Sequence, residues 1–203
     1  MGNEANSKLQ TLSLPGDCIY NGETEDGKPH GNGCLECKDG YTYQGEFKNG
    51  GYHGKGRMEW KRQRPHYIYE GEFADNEITG FGEMLHEVVG IEVSAWCFFR
   101  GSYFEGAREG WGYEVCLRAE DYTGEQALRD AHRTIKQGHP HSYYEGNFKN
   151  NLYEGQGIGL MPNGDIIRGT WKEGDMHGLI HKKNLTALKT SLNTFVKGEL
   201  YGR

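Results

Sequence analysis

Apolar residues are scarce in this chain. They make up 35% of 203 residues, and the mean hydropathy is −0.83. That is thin for a globular core, so the fold has to bury its side chains in some other way. No apolar run approaches the 18 residues that a membrane-spanning helix needs, and no secretory hydrophobic segment is visible. Basic residues are outnumbered, 23 Lys and Arg against 29 Asp and Glu. That balance argues against a nucleic-acid partner and against general docking on anionic lipid. Cysteine is limited to five, an odd count without regular spacing, which points to a reducing compartment. Catalytic signatures are also missing. There is no nucleophile elbow, no phosphate-binding glycine loop and no His-Glu zinc motif. The Gly-x-Gly pairs follow turns and open strands, so the dinucleotide reading fails on context. The expectation is a protein without enzymatic activity, cofactor or metal.

Glycine is abundant, with 32 residues, and it is placed periodically. Tyr43-Gln44-Gly45-Glu46-Phe47 is followed by His53-Gly54-Lys55-Gly56-Arg57-Met58. The same pair of phrases begins at Tyr20, Tyr69, Phe99, Tyr144 and Ile167, and a half copy begins at Val196. The spacings are 23, 26, 30, 45, 23 and 29 residues, consistent with a 23-residue unit interrupted by loop insertions. Within a unit the aromatics and glycine fall at i, i+2 and i+4, one face of a strand. Turn formers separate the two phrases, so each unit is a β-hairpin with one polar face. Glycines between aromatics on one face imply rings lying across bare backbone.

These phrases closely resemble the MORN repeat (membrane occupation and recognition nexus), from about Ile19 to about Arg203. The Tyr144 and Ile167 copies are the cleanest. The resemblance implies an all-β, single-layer solenoid of six to seven tandem hairpins. It further implies a non-catalytic protein-interaction scaffold, cytoplasmic and associated with the cytoskeleton or with a cilium or flagellum. Cytoskeletal or ciliary proteins would be its partners, and a homo-oligomer is possible. The aromatic face supplies the candidate binding residues: Tyr43, Phe47, Tyr69, Phe73, Phe99, Tyr103, Tyr144, Phe148 and Trp171. Two alternatives are a peripheral membrane tether and a regulatory subunit of a separate enzyme. Thr24 replaces an aromatic, and Asp75-Asn76 lacks the turn glycine, so those units are expected to be looser or terminal.

Around the repeats, residues 1–17 read as a flexible tail and 18–203 as the repeat domain. Met1-Gly2-Asn3 resembles an N-myristoylation signal at Gly2, against the alternative of an unmodified tail. One such chain anchors only weakly and needs a second contact, for which Lys61, Arg62 and Arg64 are candidates against a plain solvated loop. Cys34 and Cys37 invite a zinc or redox reading, but three apart on a strand they point to opposite faces, which opposes shared ligation of one metal and favours structural cysteines. Glu87–Trp96 reads as extra strand length or a protruding hairpin. In the insertion between Cys116 and Tyr143, Thr123 and Gln126 form a capping box, and Leu128, Ala131 and Ile135 follow at helical spacing. Leu185, Leu188, Leu192 and Phe195 predict a second helix, which caps the last hairpin or contacts a second copy.

Overall fold

Among the described residues, strand order equals chain order. The computed structural model describes residues 8–61, 65–89, 94–121, 124, 142–161, 163–184, 189–196 and 199–201. They form one antiparallel sheet of fifteen strands, open at both edges. The strands are β1 (Lys8–Leu14), β2 (Cys18–Glu25), β3 (Lys28–Cys37), β4 (Tyr41–Lys48) and β5 (Gly51–Trp60). Next come β6 (Tyr67–Ala74), β7 (Glu77–Val89), β8 (Ser94–Phe104), β9 (Ala107–Arg118) and β10 (Ser142–Lys149). The last are β11 (Leu152–Leu160), β12 (Asp165–Lys172), β13 (Asp175–Asn184), β14 (Lys189–Val196) and β15 (Glu199–Tyr201). Six full hairpins run from β2–β3 to β12–β13, each touching only its neighbours, as in other repeat arrays.

The tips explain why the chain turns where it does. Asp26-Gly27, Asn49-Gly50, Asp75-Asn76, Glu105-Gly106, Asn150-Asn151 and Glu173-Gly174 all have positive φ at both residues. This is the two-residue turn whose twist suits a hairpin. Asp75-Asn76 is therefore not a looser tip. Asn tolerates the left-handed region, and Asn76 Oδ1 accepts a 2.9 Å hydrogen bond from Tyr52 N of the preceding hairpin. Asn151 repeats the contact on Arg108 N, also at 2.9 Å.

The two glycines of each Gly-x-Gly have different causes. The first (Gly31, Gly54, Gly80, Gly110, Gly155 and Gly178) has φ between 58° and 84°. It sits opposite a register shift such as the one between Gly45 and Glu46, and so makes a β-bulge. A Cβ on Gly54 would meet the Glu46 carboxylate, whereas one on Gly56 would meet the Tyr43 ring. The first glycine of each pair therefore does not lie beneath the ring. Only the second glycine does, paired with the glycine of Tyr-x-Gly.

Several other expectations change. The second half of the supposed tail is β1, paired along its whole length with β2. In the C-terminal segment expected to be helical, Lys189–Val196 is strand β14, paired with β13. Thr190, Thr194 and Val196 favour strand, and the open edge of β13 offers hydrogen bonds that helical spacing could not outweigh. Val196, the last residue of β14, pairs with Glu199 of β15, so the seventh half copy straddles two strands. Four of the five cysteines are bonded in register, Cys18 to Cys37 and Cys97 to Cys116, each pair 19 residues apart. The spacing was therefore regular, being the span of a hairpin between facing positions. Cys34 and Cys37 do point to opposite faces. Within Glu87–Trp96, Glu87 to Val89 and Ser94 to Trp96 are extra strand length, paired out to Val89 and Ser94, and residues 90–93 lie outside the described residues. The inserted helix predicted from Thr123 onward lies outside the described residues, as do Gly2, Arg62 and Arg64.

Candidate protein-binding face

The sheet has an inner and an outer face. On the inner one, each first-position ring lies across two glycines. The Tyr43 hydroxyl donates to Glu46 O at 2.9 Å, and the hydroxyls of Tyr20, Tyr69 and Tyr144 reach Glu23 O, Glu72 O and Asn147 O in the same way. The bulge frees these carbonyls from the ladder, and the phenol satisfies them. Burial raises the pKa of Tyr20, Tyr43, Tyr69 and Tyr144 because the phenolate would lose its water. Second-position rings grip the first edge-on. Tyr43 meets Phe47 at 5.0 Å and Phe73 at 5.1 Å; Phe99 meets Phe148 at 4.9 Å; Tyr144 meets Trp171 at 5.1 Å. The result is a zipper of rings in which each hairpin is clasped by the next.

That zipper places all nine candidate binding residues. Tyr43, Phe47, Tyr69, Phe73, Phe99, Tyr103, Tyr144, Phe148 and Trp171 come together in one cluster, each at most 4% exposed. Their role is cohesion, and no exposed aromatic surface results from them.

Hairpin β8–β9 departs from the pattern. Phe99 replaces tyrosine, and Arg108 and Glu114 stand on the inner face where β7 has Ile78 and Met84. Arg108 lies over the rings of Phe99 and Phe148 at 5.2 and 5.1 Å and pairs with Glu114. The Tyr153 hydroxyl donates to Glu114 Oε2 at 2.7 Å. Nearby, burial lowers the His86 pKa by disfavouring the imidazolium, against the opposing pull of Glu114.

The outer face carries what the sequence reading missed. Its central row is the middle residue of each Gly-x-Gly: Asn32, Lys55, Phe81, Trp111, Gln156 and Leu179. Phe81, Trp111 and Leu179 are 45%, 51% and 57% exposed. The signal was present, as apolar residues at a position where other copies hold Asn, Lys or Gln. Phe81 and Trp111 stand two strands apart, about 10 Å along the array. A parallel row of Arg57, Glu70, Glu83 and Arg100 runs beside them, with Arg57–Glu70 at 3.6 Å and Arg100–Glu83 at 3.5 Å. The Arg100 guanidinium also lies 5.4 Å from the Phe81 ring centre. Between the rows, over glycine backbone, runs a groove of about 660 Å³ bordered by Lys55, Arg57, Glu70, Glu72, Phe81 and Glu83. A second groove, about 370 Å³, lies between Trp111, Gln156, Ile158 and Arg168. Towards the open ends of the hairpins this face becomes apolar and buried, with Leu85, Phe98, Val115 and Leu160.

Such an arrangement can hold an extended or ridged apolar and charged surface. Among the described residues no group of His, Cys, Asp or Glu is placed to hold a metal. A family model described as MORN repeat matches residues 20–40, 43–62, 69–85, 144–166 and 168–179, skipping the hairpin of Phe99. A comparison with curated proteins gives no match.

Proposed function

The chain belongs to the MORN-repeat proteins, and from that premise we propose that it is a non-catalytic scaffold that binds another protein along its outer face. Repeats of this family bind proteins or membranes. The observation that carries the reading is that Phe81 and Trp111 are both exposed, each bordering its own groove floored by glycine backbone. Aromatic residues of this kind anchor interfaces when ringed by polar groups, and here Arg57, Glu70, Glu83 and Arg100 supply the rim. A polar rim set in a fixed ladder also favours one register of the partner over another. A cytoplasmic position at the cytoskeleton or in a cilium is the finer form of the proposal; it rests on the resemblance alone, and the two disulfides run against its cytoplasmic part.

Photocrosslinking in cells tests the reading. A photoreactive residue at position 111 is expected to give a discrete adduct that disappears in the Phe81→Ala variant. The same residue at position 9, exposed on edge strand β1, serves as the reference. Identical adducts from both positions, indifferent to Phe81, would overturn the outer-face reading.

A further inference from the structure

The two disulfides occupy equivalent positions, at the open ends of hairpins β2–β3 and β8–β9, yet their surroundings differ. Cys18 and Cys37 are both half-buried and both line a groove of about 450 Å³ with Leu14, Tyr41 and Trp60. Cys97 is 3% exposed, with only Cys116 half-buried. We propose that Cys18–Cys37 is a thiol–disulfide exchange site, opened and closed by a small thiol or a protein dithiol, while Cys97–Cys116 is a fixed structural bond. This stands apart from the scaffold reading, since it concerns the other face and other residues.

Exchange proceeds by attack of an external thiolate on one sulfur and departure of the other as thiolate. At Cys18–Cys37 both routes are open. Attack on either sulfur forms a mixed disulfide with it and releases the other cysteine as a thiolate into the groove, where it takes up a proton. A second thiolate of the reductant then attacks the mixed disulfide and releases the remaining cysteine. The protein gains two electrons and two protons, and the dithiol leaves as its own disulfide. Closure is the reverse, with an external disulfide as oxidant.

At Cys97–Cys116 both routes are obstructed. The Cys97 sulfur is closed to an incoming thiolate, and attack on Cys116 would expel a thiolate at the buried Cys97. A poorly solvated thiolate is a poor leaving group, because burial raises its pKa. Position along the array matters as well. The exchangeable bond lies in the first full hairpin, beside edge strand β1, whose residues Leu12 and Leu14 pack on the same core. Opening it loosens an end of the array, whereas opening the other would break its middle.

The experiment uses the full chain, folded, titrated with dithiothreitol, quenched with acid, alkylated after unfolding and mapped by mass spectrometry. Before any reductant, only Cys34 is expected to take the label. Cys18 and Cys37 should then become labelled at a dithiol concentration about tenfold lower than Cys97 and Cys116. Labelling of all five cysteines without reductant would overturn the proposal, and so would simultaneous or reversed opening of the two pairs.

Discussion

Ile180 occupies the place beside Gly169 that a tyrosine ring occupies over the glycines of other hairpins. A Cβ on Gly169 would come within 2.6 Å of Ile180 Cγ2, just as a Cβ on Gly56 would come within 2.6 Å of the Tyr43 ring. Ile180 is fully buried and stands where β3, β5, β7, β9 and β11 have glycine. The loss of that glycine and the loss of the first-position tyrosine, here Ile167, are thus one event. A smaller first residue leaves a space, and a larger partner fills it.

The pair is expected to be strongly coupled. Ile180→Gly alone removes a buried side chain and adds strand glycine, at a cost of about 3–5 kcal/mol. Ile167→Tyr alone overpacks the site, at about 1–3 kcal/mol. Together they restore the arrangement of hairpin β10–β11, so the double variant should be more stable than the sum of the singles by about 1–3 kcal/mol. Urea unfolding of the four proteins measures this; simple additivity would refute the space-filling account.

The Tyr43 hydroxyl satisfies a carbonyl that the bulge has freed. Tyr43→Phe keeps the ring and strands Glu46 O, with an expected loss of about 1–2 kcal/mol. Tyr43→Ala loses the ring as well, about 3–5 kcal/mol. Thermal unfolding separates the two, and a Phe variant as stable as the parent would show that water serves the bulge equally well.

Arg108 and Glu114 form an ion pair inside an aromatic cluster, their side chains 20% and 13% exposed. Arg108→Ile strands a carboxylate beside Tyr153 and should cost about 3–5 kcal/mol. Adding Glu114→Met copies the Ile78 and Met84 of the preceding hairpin, and stability should return to within about 1 kcal/mol of the parent or exceed it. Chemical denaturation of the single and double variants decides, and a double variant no better than the single would contradict it.

Alkali should unfold the protein. Burial raises the pKa of Tyr20, Tyr43, Tyr69, Tyr144 and Tyr153 in the folded state. In the unfolded chain these phenols ionise near pH 10, so above that value the folded state holds more protons and stability falls as pH rises. Below about pH 10 this contribution is complete. Absorbance of phenolate and the circular dichroism of the sheet should therefore change together; phenolate appearing with the sheet intact would mean that the rings ionise in place.

Trp111 is exposed on the outer face, away from the ring zipper. Trp111→Ala should leave stability within about 0.5 kcal/mol of the parent. Phe148→Ala, on the inner face, should lower it by about 3–5 kcal/mol. Equal losses would place Trp111 in the cohesion of the array and remove it from the binding surface.

The repeat was legible because its parts are local. Tyr-x-Gly-x-aromatic alternation names a strand, and two turn residues name a hairpin, without knowledge of the neighbours. Registers across strands were less visible. Cys18 and Cys37 look irregular until the turn at Asp26-Gly27 sets them opposite each other. Strand β14 was misread because Leu192 and Phe195 are three apart, which suits a helix, while the free edge of β13 is a tertiary fact. The nine aromatics were read as exposed for a related reason. Aromatics at repeated spacing look like anchors, yet the same spacing lets one ring clasp the next and vanish from the surface. The odd residues out, Phe81 and Trp111, break the repeat rather than follow it.

Because strand order follows chain order, the two chain ends load opposite edges of the sheet. Tension between them peels one edge strand at a time, breaking its hydrogen bonds in succession instead of shearing a whole ladder at once. The array would pay out length hairpin by hairpin, like a strap let through a buckle, and could close again from whatever remained paired. Cys18–Cys37 and Cys97–Cys116 set stops in that travel, each withholding the loop of chain it encloses. A pulled array with both bonds closed would extend less far than one with both open.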